Sequence, residues 1–237
     1  MSPRKEDDVP QHPKAADGVS EILWRACHDL RGPLRSIRSS AELLLRDGLT
    51  KETAEFQKRL GFIVEGAAKI ERLADGLTSY GMALQIGREG FQSMRMDVLL
   101  RAVLAKLDRA LRDAGASVSY GNLPRILGNP DRLMQVFDIL LRNAIEHRGQ
   151  EPPQVHISAE QQPDGWVFAV RDNGRGIESV YLESIFTPFA RLNGAEGAGA
   201  GLGLTICRAI VEGHGGKIWA ESNAEGGSTF LFTLPAE

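Results

Sequence analysis

His28 lies in the run Cys27-His28-Asp29-Leu30-Arg31-Gly32-Pro33-Leu34, inside a helical pattern. A carboxylate directly after an imidazole can hold one ring nitrogen protonated and leave the other as a nucleophile. Counted at about 100° per residue from Ala26 and Leu30, His28 points away from the apolar stripe and toward solvent. By itself it would read as a surface histidine without a role. It is not by itself, because the chain later carries Asp172-Asn173-Gly174-Arg175-Gly176 and Gly199-Ala200-Gly201-Leu202-Gly203-Leu204. Asp172 follows a predicted strand, its carboxylate can accept from the exocyclic amine of a base, and Gly174 and Gly176 let the backbone approach the ring. Asp-Asn-Gly alone is also an ordinary turn. Gly199, Gly201 and Gly203 open a helix whose unpaired N–H groups and dipole suit a phosphate. A flexible loop ahead of a tightly packed helix would read the same way. Asn143, on a helix ahead of both loops, could offer its amide oxygen to a Mg²⁺ carried by phosphates, although capping or burial would equally account for it. Neither glycine run fits the dinucleotide fingerprint or a Walker loop. A nucleophile followed by two nucleotide loops is the order of a phosphotransfer device.

The elements that must position these groups follow from periodicity. Ile22, Leu23, Ala26, Leu30, Leu34, Ile37, Ala41 and Leu44 recur at threes and fours from Val19 onward, the mark of one apolar helical face. Pro33 sits inside that pattern and is expected to loosen or kink it one turn past His28. Asp47-Gly48 ends the helix, and Thr50, Glu52 and Thr53 can begin another. That second helix carries Phe56, Leu60, Ile63, Ala67, Ile70, Leu73, Leu77, Tyr80 and Leu84 at the same spacing. Two such helices form an antiparallel hairpin, which cannot bury both stripes alone and is expected to pair into a four-helix dimer.

Beyond Gly87 and Gly90 the pattern is mixed. A helix is predicted over about Asp97 to Asp113, with strand-like pieces at Ser117–Tyr120 and Arg125–Leu127. Asn129-Pro130-Asp131 caps a helix reaching His147. Val155–Glu160 and Trp166–Arg171 alternate like paired strands around a Pro163-Asp164-Gly165 turn. A last helix, about Leu202–His214, leads to strands near Lys217–Ser222 and Thr229–Leu234. Helices on one face of a mostly antiparallel sheet make an α+β two-layer sandwich.

The 237 residues, 42% hydrophobic and 25% charged, suit a soluble chain of one large or two small domains. A formal net charge of −3 offers no electrostatic reason to expect nucleic acid. Cys27 and Cys207 lack metal-ligand spacing and read as free thiols of a reducing compartment. No apolar run is long enough for a membrane span and the N-terminus has no signal core, so the expected location is cytoplasmic.

Taken together the motifs resemble the catalytic core of a two-component sensor histidine kinase, particularly the phytochrome-like group. Cys27–Leu34 resembles its H box, Gln135 through Asn143-Ala144 its N box, and Asp172–Gly176 its G1 box. Phe186-Thr187-Pro188-Phe189-Ala190-Arg191 resembles the F box and Gly199–Leu204 the G2 box, so the likeness covers roughly residues 19–235. The resemblance implies an all-α helical hairpin, a dimeric four-helix bundle, followed by an α+β sandwich of the Bergerat ATP-binding type. Its expected layout is a flexible tail over 1–17, a dimerisation and phosphotransfer domain over 18–89 and an ATP-binding domain over 90–237. It implies ATP and Mg²⁺ as cofactors and the receiver domain of a response regulator as partner. It also implies that His28 accepts the γ-phosphoryl group, Asp29 orients it and Asn143 holds Mg²⁺. Asp172 would then read adenine and Arg191 steady the γ-phosphate, with the segment between Arg191 and Gly199 as the ATP lid.

Three positions differ from the family pattern. Ile139 stands where a second Asn is usual, Glu146 where a Lys is usual, and Gly32 where a Thr or Asn associated with phosphatase activity is usual. The first two are expected to weaken Mg-ATP binding. An ATP hydrolase of the same fold would need a base four residues before Asn143, and Ile139 cannot serve as one. A degenerate kinase acting as a dimeric docking scaffold is the reading that Ile139 and Glu146 would favour. No sensor precedes the hairpin, so a separate sensor protein supplies the input or the chain is part of a longer one.

Overall fold

The computed structural model describes residues 14–47, 53–88, 90–190, 200–224 and 226–236. The chain divides into two compact units that meet between Leu73 and Ala74.

The first unit contains α1 (Lys14–Asp47) and most of α2 (Ala54–Leu84). Helix α1 begins ahead of the expected Val19, so Lys14–Asp17, expected in the tail, are helical. Of the expected start signals for α2, Thr50 and Glu52 lie outside the described residues. Thr53 does the work: its hydroxyl accepts the Phe56 N–H at 3.3 Å, an N-cap. Ile22 and Ala26 are buried, as the three-four spacing requires. Pro33, expected to loosen or kink α1, is buried inside one uninterrupted helix. The reason is tertiary. A Cβ placed on Gly66 of α2 would stand 2.8 Å from Ile37 Cγ1 and 3.2 Å from the Pro33 carbonyl oxygen. The two helices therefore approach closely at the proline turn, and packing from α2 holds that turn where its missing N–H cannot.

The second unit begins with the end of α2 and continues through β1 (Gln92–Arg95), α3 (Met96–Asp113), β2 (Ser117–Tyr120), β3 (Arg125–Gly128) and α4 (Pro130–Glu146). Then come β4 (Gln154–Gln162), β5 (Gly165–Asp172), two 3-10 turns at Ser179–Tyr181 and Ser184–Phe186, α5 (Gly203–Gly213), β6 (Ile218–Ser222) and β7 (Ser228–Pro235). The main sheet has the order β2-β4-β5-β7-β6. Only β2 and β4 run parallel; the other neighbours are antiparallel, as expected for a mostly antiparallel sheet. Strand β1 is absent from the sequence expectation because Gln92-Ser93-Met94-Arg95 shows no alternation. It forms by pairing with β3, where Met94 faces Ile126.

Alternation places Val155 and Ile157, Phe168 and Val170, Phe230, Phe232 and Leu234 on one buried sheet face. Against it lie Leu100, Val103 and Leu107 of α3, Val136, Phe137 and Leu140 of α4, and Ile206 and Ile210 of α5. Phe168 and Phe232 stack at 5.0 Å, and Phe137 meets both edge-on at 6.5 and 5.9 Å. Each such side chain contributes roughly 1.5–3 kcal/mol of burial. Ala83 is buried in this same core, with Leu77 and Tyr80 packed on it. That packing is why the two compact units divide inside α2.

His214 ends α5. Its Nδ1–H donates to the Ile210 carbonyl (2.7 Å), its Nε2 accepts the Asn129 N–H (3.0 Å), and the ring stacks on Phe91 at 4.7 Å. This arrangement fits only the neutral ring, and burial pushes its pKa below the ordinary imidazole value. The unfolded ring titrates near pH ~6.5 and so takes up the proton first as pH falls. Its contribution to stability is complete above that value and is lost as pH drops through the lower folded one. Urea midpoints between pH 8 and pH 5 should therefore fall less steeply in His214→Leu than in the parent. Parallel slopes would show that His214 does not titrate against folding.

Candidate functional site

Asp172 ends β5, and its Oδ1 accepts the Gly174 N–H at 2.8 Å and the Ser228 N–H at 3.2 Å. Its own carbonyl accepts from the Asn223 amide at 3.2 Å, and Asn223 is held in turn by the Thr229 hydroxyl at 2.7 Å. Burial raises the Asp172 pKa, although the two backbone donors pull it down. With Oδ1 committed to the loop, Oδ2 is the oxygen left to a ligand.

The residues around Asp172 brace it. Asn173 accepts the Gln154 N–H at 2.7 Å and donates to the Pro152 carbonyl at 3.0 Å, tying the loop to the start of β4. The Arg175 N–H donates to His147 O and its Nε to Arg148 O, both at 3.1 Å, which ties it to the end of α4. Gly174 must be glycine, because a Cβ would lie 2.8 Å from His147 O and 2.9 Å from Asp172 Oδ1. Gly176 closes the loop with a φ of 75°.

Helix α4 delivers Asn143. The helix starts at the Asn129 cap, whose side chain accepts the Arg132 N–H at 3.2 Å. The half-buried Asn143 lies in its last turn, its carbonyl accepting the His147 N–H at 2.9 Å. His147 thus links Asn143 to the Asp172 loop through both its N–H and its carbonyl. Among the described residues no group of three His, Cys, Asp or Glu could hold a metal. One neutral amide oxygen fits a Mg²⁺ that draws its other ligands from phosphates and water.

Gly203 begins α5, whose first turn has no side-chain cap, so its N–H groups are of the kind that hold an anion. Ile139, one turn ahead of Asn143, is half-buried on the core, with Cγ2 at 3.1 Å from a Cβ placed on Gly203. Gly201, with φ 72°, lies so close that a Cβ would meet Phe189 Cα at 2.9 Å, and its carbonyl accepts the Phe189 N–H at 2.8 Å. Phe189, at φ 63°, is the one non-glycine residue of positive φ among the described residues, a strain that this bond helps to hold. Arg191 and Gly199, both predicted site residues, lie outside the described residues, as does the segment between them.

Asn143, Asp172, Gly174, Gly176, Gly201 and Gly203 are therefore all in the second unit. His28 and Asp29 are in the first. There the His28 ring is well exposed, its side chain 67% accessible, with Nδ1 3.2 Å from Asp29 Oδ1. One turn on, Gly32 faces open space. Glu146 is exposed, so its charge is screened by solvent. Asp138, the neighbour of Ile139, is ion-paired with Lys106 at 3.2 Å and Arg142 at 3.0 Å. Sequence reasoning missed Arg175, Asn223 and Ser228 as braces of Asp172. Arg175 stood inside a recognised motif, whereas Asn223 and Ser228 carried no local signal, since only strand pairing brings them to the loop.

Residues 128–237 match the family of histidine kinase-, DNA gyrase B- and HSP90-like ATPases, which defines the sandwich as an ATP-binding domain of that class. Within the class the likeness narrows. Over 221 residues the chain is 37% identical to cyanobacterial phytochrome A of Nostoc sp., covering 92% of this chain and 28% of that protein. The nucleotide-free catalytic domain of histidine kinase ThkA superposes with a TM-score of 0.54 at 31% identity, over 61% of this chain and 97% of that one. ThkA in complex with the response regulator protein TrrA gives 0.73 at 25% identity, over 94% and 64%. The chain belongs to the histidine kinases, as the helical hairpin and ATP-binding domain of a two-component sensor kinase core. It spans less than a third of the length of cyanobacterial phytochrome A and of other curated relatives it matches. No described helix is long and apolar enough to cross a membrane.

Asp172→Asn keeps an oxygen for the two loop N–H groups but turns the other position from acceptor to donor. A hydrogen bond to a charged group contributes roughly 1.5–3 kcal/mol, so ATP should bind about one to two orders of magnitude more weakly. Calorimetric titration measures this. Equal affinity in the variant and the parent would take Asp172 out of base recognition.

Proposed function

We propose that this chain is an ATP-dependent protein-histidine kinase that phosphorylates its own His28 and passes the phosphoryl group to an aspartate of a response-regulator receiver domain. The observation that carries the reading is the exposed His28–Asp29 contact on α1, in a chain whose second unit is an ATP-binding domain. A carboxylate can only accept, so Asp29 holds the proton on Nδ1 and places the nucleophilic pair on Nε2. Attack of Nε2 on the γ-phosphorus forms the N–P bond as the bond to the bridging oxygen breaks and ADP leaves. The imidazolium that results is stabilised by Asp29 beside it. Asp172 holds adenine, Asn143 supplies an oxygen to the Mg²⁺ that neutralises phosphate charge, and the α5 N-terminus receives a phosphate. Arg191 is assigned to the γ-phosphate by family resemblance.

The second step suits a phosphoramidate, whose phosphoryl group can pass to a carboxylate oxygen and leave neutral histidine. ThkA, a relative of the same layout, has been solved with a response regulator protein. The active form is a homodimer through the hairpin. Leu34, Leu45, Phe62 and Val64 remain substantially exposed within that unit, apolar surface that a second copy would cover.

Incubation with labelled ATP and Mg²⁺ should give an acid-labile, base-stable phosphoprotein. His28→Gln should carry no label, and label that persists would sink the assignment. Asp29→Asn should slow labelling while leaving ATP affinity near that of the parent, because it acts on the nucleophile and not on the nucleotide site. Sedimentation at micromolar concentration should give twice the mass of the chain; a monomer there would refute dimerisation.

A further inference from the structure

Between Ala74 and Ile86 the end of α2 and the two residues that follow it come close to residues at either end of α5. Gly76 faces Leu202: a Cβ there would lie 2.9 Å from Leu202 Cδ1, 3.6 Å from Leu202 Cβ and 3.7 Å from Ala200 Cβ. Further along, Ile86 lies beside Gly213 at the other end of α5, where a Cβ would stand 3.0 Å from Ile86 Cβ. Gly76, Tyr80 and Ala83 share one helical face at spacings of four and three. Ala83 is 1% exposed, and the Tyr80 hydroxyl feels the charge of Glu212 near the end of α5. The end of α2 and the loop after it thus come close to residues at the two ends of α5.

The contact at its start has a particular consequence. Leu202 is the residue just before α5, it is 1% exposed, and its carbonyl accepts the Ile206 N–H at 2.9 Å. Its seat therefore fixes the turn Ala200-Gly201-Leu202 and, with it, the direction of the uncapped N–H groups that follow. We propose that Gly76 is a positioning residue for the phosphate-binding turn: by leaving room for Leu202 it holds the α5 N-terminus where a triphosphate meets it. The inference rests on reading Gly199–Leu204 as the phosphate loop. It makes the state of α2 a determinant of how tightly the phosphates, and not the base, are held.

Substitution in the full chain tests this. Gly76→Leu puts a branched side chain where Leu202 sits and should weaken ATP binding about tenfold, within the range of couplings between residues in contact. Adenosine, which reaches Asp172 but has no phosphates, should bind the variant as it binds the parent. Gly81→Leu makes the same change on the same helix where a Cβ meets nothing within 4 Å, and should alter neither affinity. Gly76→Ala, whose single methyl meets chiefly the flexible end of Leu202, should give a smaller loss in the same direction if the leucine variant does not fold. Adding Leu202→Ala to Gly76→Leu should recover part of the loss relative to the sum of the two single changes. Unchanged ATP affinity in both Gly76 variants, or equal losses for ATP and adenosine, would overturn the proposal. A parent chain that binds adenosine but gains nothing from the phosphates would instead overturn the phosphate-loop reading itself, and the proposal with it.

Discussion

A carboxylate half-buried at the end of a central strand must be held by donors or give up its charge, and Asp172 is held by two backbone N–H groups. One comes from its own loop and the other from the start of β7. The same residue's carbonyl takes the Asn223 amide from the turn between β6 and β7. Asp172 therefore joins three segments at the rim of the sheet, and the ligand site inherits its rigidity from this junction. The cost of desolvating the carboxylate is met by bonds that also stop the loop from moving. What remains for a ligand is one oxygen in a fixed place.

From that junction the rest of the candidate nucleotide site is reached through backbone contacts. His147 stands between the Asp172 loop and Asn143, its N–H donating to the Asn143 carbonyl and its own carbonyl accepting the Arg175 N–H. Ile139, one turn earlier on α4, underlies Gly203 at the start of α5. Ile139, which differs from the family pattern, is thus a packing residue as much as a lost donor. Glu146, the other difference, is exposed to solvent, which blunts its repulsion of phosphate. The degenerate-scaffold reading rested on this pair, and the geometry gives it less weight than the sequence did.

The proposed nucleophile follows a different physical logic. As a phosphoryl acceptor and donor, His28 would need exposure, which it has, and a carboxylate such as Asp29 beside it to fix the tautomer. Such a group can stand on a helix surface without an elaborate pocket. The proposed adenine-reading group, Asp172, would need the reverse, burial and bracing, which the sheet with its packed helices provides. Placing the two in separate compact units matches these opposite demands.

Much of this was legible in the sequence, because the signals are local. Three-four spacing gave both hairpin helices, Asn129-Pro130-Asp131 gave the start of α4, and alternation with Pro163-Asp164-Gly165 gave the β4–β5 hairpin. The exposure of His28 followed from its angle relative to Ala26 and Leu30, and the ordered boxes identified the family. Tertiary structure alone decided the features that depend on residues far apart in the chain. Strand β1 exists because β3 pairs with it, and α1 continues as one helix through Pro33, where Gly66 lets α2 press on that turn. Ser228 and Asn223 reach Asp172 because β7 lies beside β5. The last turns of α2 join the second unit because Ala83 and Gly76 meet its core and its α5 helix, contacts of shape for which periodicity carries no code.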